Sequence, residues 1–192
     1  MTYSSDWFSP NIKNWEVWLK DFKGRARLNF LEIGCFEGRA TVWLLENILG
    51  DFGQITVIDT FGGGMEDGDK GAFFNENAEK NFMDNIKGYE NFVNVYKGLS
   101  QEVLRSAEFQ LSEFDFVYID GSHRSAEVLE DTILAWRLLK KGGLLIWDDY
   151  ALHRYPDKLK NPGPGIDAFL NIFDGKYEVI SKGYQVCIKK VL

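Results

Sequence analysis

Residues 114–123, F-D-F-V-Y-I-D-G-S-H, and residues 141–150, K-G-G-L-L-I-W-D-D-Y, decide how this chain folds. Residues 114–119 and 144–147 are short apolar runs bounded by turn signals, the pattern of strands buried on both faces of a parallel sheet. Between them Val128, Leu129, Ile133, Trp136, Leu138 and Leu139 recur at helical spacing. Lys140, Lys141, Gly142 and Gly143 then read as a cationic last turn and a stop. The stretch is therefore one βαβ unit with a right-handed crossover. Each strand ends in acid, Asp120 on the first and Asp148 with Asp149 on the second. If the strands are neighbours, about 4.8 Å apart, three carboxylates converge at the carboxyl edge of the sheet, where open α/β sheets bind ligands. Acids so close repel and need a cation or protonation. A hard divalent ion, Mg²⁺, answers that need with oxygen ligands.

Working outward, the 192 residues suit one domain with a substantial core. The net charge of -7 comes without a basic run, so the electrostatic footprint of a nucleic-acid binder is missing. Cys35 and Cys187 suggest neither a disulfide framework nor a zinc cluster. The first residues lack the charged and apolar regions of a signal peptide, and no apolar run reaches membrane-spanning length. A cytoplasmic protein is the expectation.

Trp15, Val17, Trp18, Leu19 and Phe22 suggest an amphipathic helix before Gly24. Residues 28–33 read as a strand, 42–49 as a helix and 55–58 as a second strand ending at Asp59. Residues 61–71, with five glycines, are loop. A helix over 75–86 carries Phe82, Met83 and Ile86 on its apolar side, and residues 92–96 make a third strand. Ser100 is placed to cap the next helix. After the βαβ unit, residues 151–165 form an irregular segment, then a helix follows with Ile166, Phe169, Leu170 and Phe173. Residues 177–181 and 184–191 form a hairpin that closes the sheet with an antiparallel strand. The alternation gives a doubly wound α/β layer structure.

Gly34 permits a tight turn after the first strand, and Gly38 permits close packing where the helix begins. Phe36 fills the place of the middle glycine of a dinucleotide fingerprint and would obstruct a pyrophosphate. Asp59 lies 21 residues beyond Gly38, where an acid that binds ribose hydroxyls is usually found.

Together, E-I-G-C-F-E-G (32–38), V-I-D-T (57–60), K-G-L-S-Q-E (97–102) and the I-D-G-S-H and W-D-D-Y strand ends resemble a class I S-adenosylmethionine-dependent methyltransferase. The chain is similar to metal-dependent small-molecule O-methyltransferases of the catechol and macrocin types, over roughly residues 28–190. The resemblance implies a Rossmann-like, mostly parallel sheet with a C-terminal antiparallel hairpin strand. It implies a single domain over residues 1–192, in which 1–24 form an N-terminal segment and helix ahead of the core at 25–192. It further implies that Glu32, Gly34, Cys35, Phe36 and Gly38 surround the methionine part of the cofactor, that Asp59 with Thr60 holds the ribose, and that Ser100 and Gln101 lie by the adenine. Asp120 would border the cofactor and, with Asp148 and Asp149, hold the metal. The catechol type ends in an amide where this chain has Asp149, and the macrocin type usually has Glu at the place of Asp148.

In-line methyl transfer requires an acceptor that is positioned and deprotonated. His123, three residues past Asp120, is the candidate base, its alternative being a helix cap. His153 is a second, weaker candidate. The leading expectation is Mg²⁺-assisted O-methylation of a hydroxyl on a small molecule such as a sugar or polyketide. A nucleoside-binding protein without turnover and a nicotinamide-dependent oxidoreductase are the alternatives. Residues 62–71 and 155–165 flank the expected opening as lids. Trp7, Phe8, Trp15 and Trp18 are the candidate surface for a homo-oligomer.

Overall fold

The apolar residues of the central strands alternate between two cores, and that alternation builds the three layers. A computed structural model describes residues 1–63 and 75–192. The elements run α1 (Ile12–Trp18), β1 (Asn29–Ile33), α2 (Arg39–Asn47), β2 (Gln54–Asp59), α3 (Ala78–Asn85), β3 (Val93–Lys97) and α4 (Ser100–Ser106). They continue with β4 (Phe114–Ile119), α5 (Ser125–Leu138), β5 (Leu139–Trp147), α6 (Gly163–Ile172), β6 (Tyr177–Lys182) and β7 (Val186–Lys190). The sheet order is β3-β2-β1-β4-β5-β7-β6, with β1 to β5 parallel and both β7 pairings antiparallel.

On β4, Phe116 and Tyr118 enter one core and Val117 and Ile119 the other; Leu144 and Ile146 oppose Leu145 and Trp147 on β5 in the same way. Side chains two residues apart share a face of a strand, so a strand buried on both faces must be apolar throughout. The first core takes in the faces of α1, α2 and α3, and the second those of α4, α5 and α6. The chain order reverses between β1 and β4, which places a ligand crevice at their carboxyl ends.

Four expectations need correction. Lys140 to Gly143 are not a helix end: α5 stops at Leu138 and β5 begins at once, Leu139 pairing with Phe114. The register shifts between Phe114 and Phe116, Lys140 binds Asp115 at 2.8 Å, and Gly142 at φ +83° and Gly143, pressed on the Asp115 carbonyl, fit the backbone to that irregularity. Met83 and Ile133, counted on apolar faces, are exposed. Phe8 and Trp15 are core residues, Trp15 ringed edge-on by Phe8, Trp43, Phe116 and Tyr118, so the four-aromatic surface does not form. Ser100 is the first residue of α4 and its hydroxyl makes no cap. Most of the glycine-rich loop read as a lid lies outside the described residues. Among those residues, no helix is long and apolar enough to cross a membrane.

Candidate active site

The turn after β1 is shaped by contacts that only glycine tolerates. Gly34 has φ +84° and donates to the Ile58 carbonyl at 2.9 Å; Gly38, at φ +80°, opens α2 against the Phe82 ring. Between them Phe36 adopts φ +48°, a left-handed conformation that a bulky residue holds only when other bonds enforce it. Those bonds come from Asp59. Its Oδ2 accepts from the backbone N–H of Cys35 and of Phe36, both at 2.8 Å, and its Oδ1 from Phe61 N–H at 2.7 Å. A carboxylate offers about four lone-pair sites, so the three amides leave room for a further donor such as a ribose hydroxyl. Thr60 accepts from Gly62 N–H at 3.2 Å. Glu32 is buried and ties β1 to α2 by accepting from Thr41 Oγ1 at 2.6 Å. Burial pushes its carboxyl up to about 8, the Thr41 bond opposes this, and Asp59 adds to it.

Glu37 carries a role that the sequence reading missed. Its buried carboxylate accepts from Ser4 N–H at 2.6 Å, Asn75 at 2.6 Å and Asn81 at 2.8 Å, while its backbone carbonyl accepts from Asn85. Asn85 also grips Thr2 by both backbone groups, and Arg39 reaches Asp6 at 3.1 Å while lying over the Tyr3 ring. Trp7 meets Phe36 with centroids 5.2 Å apart. Residues 2–9 thus strap the loop. The only local hint was a charged residue enclosed between Phe36 and Gly38.

Ser100 and Gln101 both turn to one partner. Ser100 Oγ donates to Asp131 Oδ1 at 2.7 Å and Gln101 Nε2 donates to the same oxygen at 2.8 Å. Asp131 sits on α5 with no exposed surface, and burial pushes its carboxyl up to about 7 against the Ser100 bond.

At the acid edge, pairing of Ile119 with Trp147 sets Asp120 beside Asp148, as the neighbouring strands predicted. Tyr118 bridges them, its hydroxyl 2.8 Å from Asp120 Oδ2 and 2.5 Å from Asp148 Oδ2. The two carboxylates either share the one phenolic proton in a three-centre bond or one of them carries a proton of its own. Burial, then Asp148 and Asp149, raise Asp120 far above the usual carboxylate range; burial and Asp149 raise Asp148. Asp148 is held further by Gln185 Nε2 at 2.9 Å and by Asp149 N–H at 2.8 Å, and Trp15 Nε1 donates to Gln185 at 2.9 Å. Asp149, at φ +56°, turns the other way: its Oδ2 lies 2.8 Å from His123 Nε2, and Tyr184 donates to its Oδ1. Burial opposes its ionisation, but the bonds from His123 and Tyr184 bring its carboxyl below the usual value. His153 is exposed in the segment after β5.

Asp120, His123 and Asp149 offer ligand atoms within 4.8 Å of one another. Two carboxylate oxygens and an imidazole nitrogen are a donor set that fits a divalent cation. Asp148 is not in that group; its oxygens face Tyr118, Gln185 and the Asp149 amide.

Known proteins resemble this chain. In a family comparison, the model described as a methyltransferase domain matches residues 31–150, from β1 to the acid pair. A protein of Acanthamoeba polyphaga mimivirus, itself uncharacterized, is 24% identical over 152 residues; these are 78% of this chain and 63% of the viral protein, so the chain spans under two thirds of that relative. Among solved structures, an O-methyltransferase from Bacillus cereus in complex with S-adenosylhomocysteine aligns at TM-score 0.70 and 19% identity, covering 98% of this chain and 84% of the other. TomG of Streptomyces achromogenes, an O-methyltransferase of tomaymycin synthesis in complex with S-adenosylmethionine, aligns at 0.67 and 17%, covering 96% and 81%. A match that takes in more than half the chain, from the glycine turn to the strand-end acids, shows that it belongs to the methyltransferase-domain family and has the class I, S-adenosylmethionine-dependent methyltransferase fold.

Proposed function

We propose that this protein is an S-adenosylmethionine-dependent O-methyltransferase that methylates a hydroxyl of a small molecule, such as a sugar or polyketide, with the help of Mg²⁺. The observation that carries this reading is the meeting of Asp120, His123 and Asp149 at the carboxyl ends of β4 and β5, on the same sheet edge as the turn that Asp59 organises. The bound S-adenosyl ligands of the Bacillus cereus and Streptomyces achromogenes structures support the cofactor. A net charge of -7 favours a small acceptor over a polyanionic nucleic acid. The chemistry that the bound groups would supply is an electrophilic methyl on a sulfonium and, from the ion, polarisation of the acceptor oxygen.

The chain's own residues do the rest. Asp59 fixes the cofactor loop through three amides and keeps an oxygen lone pair for the ribose. Asp120 and Asp149 would hold the ion, while Tyr118 and Gln185 hold Asp148 beside them as a support. His123, whose Nε2 faces Asp149, is left out of the ion's ligands: it takes the acceptor's proton on Nδ1, and Asp149 stabilises the imidazolium that results.

Two measurements test this. In calorimetric titration the wild type is expected to bind S-adenosylmethionine, and Asp59→Ala to bind on the order of a hundredfold more weakly, since three loop amides lose a charged acceptor. Absence of binding by the wild type would sink the cofactor reading. In turnover assays over a panel of hydroxylated acceptors, His123→Ala is expected to lower the rate on the order of a hundredfold while cofactor affinity holds. Excess chelator should suppress turnover and added Mg²⁺ restore it. Binding without turnover of any acceptor would favour a nucleoside-binding protein instead.

A further inference from the structure

A buried carboxylate in the middle of α5 calls for an explanation, because removing an acid from water costs several kcal/mol unless its partners compensate. Asp131 has two donors, Ser100 and Gln101, and both converge on Oδ1. Oδ2, equally buried, has no hydrogen-bond partner among the described residues. Glu127 and Glu130 of the same helix add negative potential, so the carboxylate is poorly placed as a device for stability alone.

Its effect on Ser100 and Gln101 is specific. A glutamine amide has a donor end and an acceptor end, and either can face a ligand. With one Nε2 proton committed to Asp131, the amide is held with Oε1 turned away from the carboxylate as its free acceptor, and a single N–H is left beside it. The hydroxyl proton of Ser100 is committed in the same way, leaving its Oγ lone pairs. Ionised, as it is above about pH 7, Asp131 only accepts and imposes one orientation; a protonated acid or a neutral amide would permit two.

We propose that Asp131 is a positioning residue that gives the Ser100–Gln101 pair acceptor polarity, so that the site selects a base bearing an exocyclic amine over one bearing a carbonyl. The proposal rests on the cofactor reading above, with the base seated at Ser100 and Gln101. Asp131 acts through Gln101 and touches no ligand. The carbonyl base fails because it sets acceptor against acceptor, leaving Gln101 Oε1 desolvated and unpaired.

The test compares, about a unit and a half above that pH so that Asp131 is ionised, the affinity of S-adenosylhomocysteine with that of its 6-oxo analogue, S-inosylhomocysteine. The wild type should prefer the adenine compound by about tenfold or more, the scale of one lost hydrogen bond with an unpaired acceptor left behind. In Asp131→Asn, whose amide lets Gln101 reverse, that preference should fall to within about threefold while circular dichroism remains native. Gln101→Met should lower it equally, and the double variant should lose no more than the larger single loss. A folded Asp131→Asn that keeps the wild-type preference overturns the proposal, as does a Gln101→Met that keeps it. Multiplying losses in the double variant overturn the claim that Asp131 acts through Gln101. If Asp131→Asn does not fold, Gln101→Met decides. A wild type that binds both compounds equally defeats this inference and leaves the cofactor reading standing; one that binds neither defeats the cofactor reading itself.

Discussion

Gly34→Ala is expected to destabilise the protein by about 4–5 kcal/mol, the range reached only by severe single substitutions. A Cβ at this position would lie 2.1 Å from the backbone oxygen of Asp120, 2.5 Å from its carbonyl carbon and 2.7 Å from the Cα of Gly121. The obstacle is backbone, so no rotamer relieves it. Nor can the strands part cheaply, because Asp120 N–H donates to Ile33 O at 2.7 Å and Gly34 N–H to Ile58 O at 2.9 Å, which locks β4, β1 and β2 side by side. The φ of +84° adds a second penalty for any residue with a side chain. For a chain of this size the loss corresponds to a fall in Tm of about 10–15 °C, measurable by scanning calorimetry. A fall of only one or two degrees would mean that the β1–β4 edge yields more than its bonds suggest.

The second large effect is a dependence of stability on pH that runs opposite to the usual behaviour of carboxylates. Burial is the main reason that Glu32 holds its proton until about 8 in the folded chain, against 4.5 when unfolded. The folded state therefore binds the extra proton throughout that interval. The stability this confers is complete below about 4.5 and is lost as the pH rises through about 8. One such group changes the unfolding free energy by about 1.4 kcal/mol per pH unit, so the loss approaches about 4 kcal/mol across the interval. Glu32→Gln keeps an acceptor for Thr41 and mimics the neutral acid without titrating. Urea denaturation from pH 5 to 8.5 should show the wild type losing stability relative to Glu32→Gln, the two agreeing near pH 5 and diverging by pH 8. Parallel curves would show that Glu32 is ionised in the fold or rehydrated by local opening.

The parts of the molecule that were legible from sequence are those whose signal is local. Two mostly apolar runs flanking a helical pattern announced adjacent parallel strands, and adjacency alone brings Asp120 beside Asp148. Gly34, Gly38 and Asp59 could be read because a turn after a strand restricts residue types so tightly. What stayed hidden was set by pairing across the chain. Tyr118 alternates like any core residue of β4, and nothing nearby reveals that its hydroxyl ends between two acids. Gln185 and Tyr184 stand in a hairpin without apparent chemistry, yet they determine which way Asp148 and Asp149 face. Asp131 occupies a helix in which charged residues ordinarily face water. The segment 140–143 misled because two lysines and two glycines end helices far more often than they begin strands, and only the irregular pairing opposite Asp115 reverses that preference.

The insertion of β7 between β5 and β6 has a consequence for how the protein is made. The side chains that hold the turn after β1 by hydrogen bonds, Asp59 and Asn85, are already in place by residue 85. The acid edge is different, since Asp148 and Asp149 take their orientation from Gln185 and Tyr184, which emerge much later in the chain. A nascent chain can thus assemble the turn after β1 while the β5 edge is still bare, and the acid edge takes its final form only once β7 has been made and has slipped in beside β5.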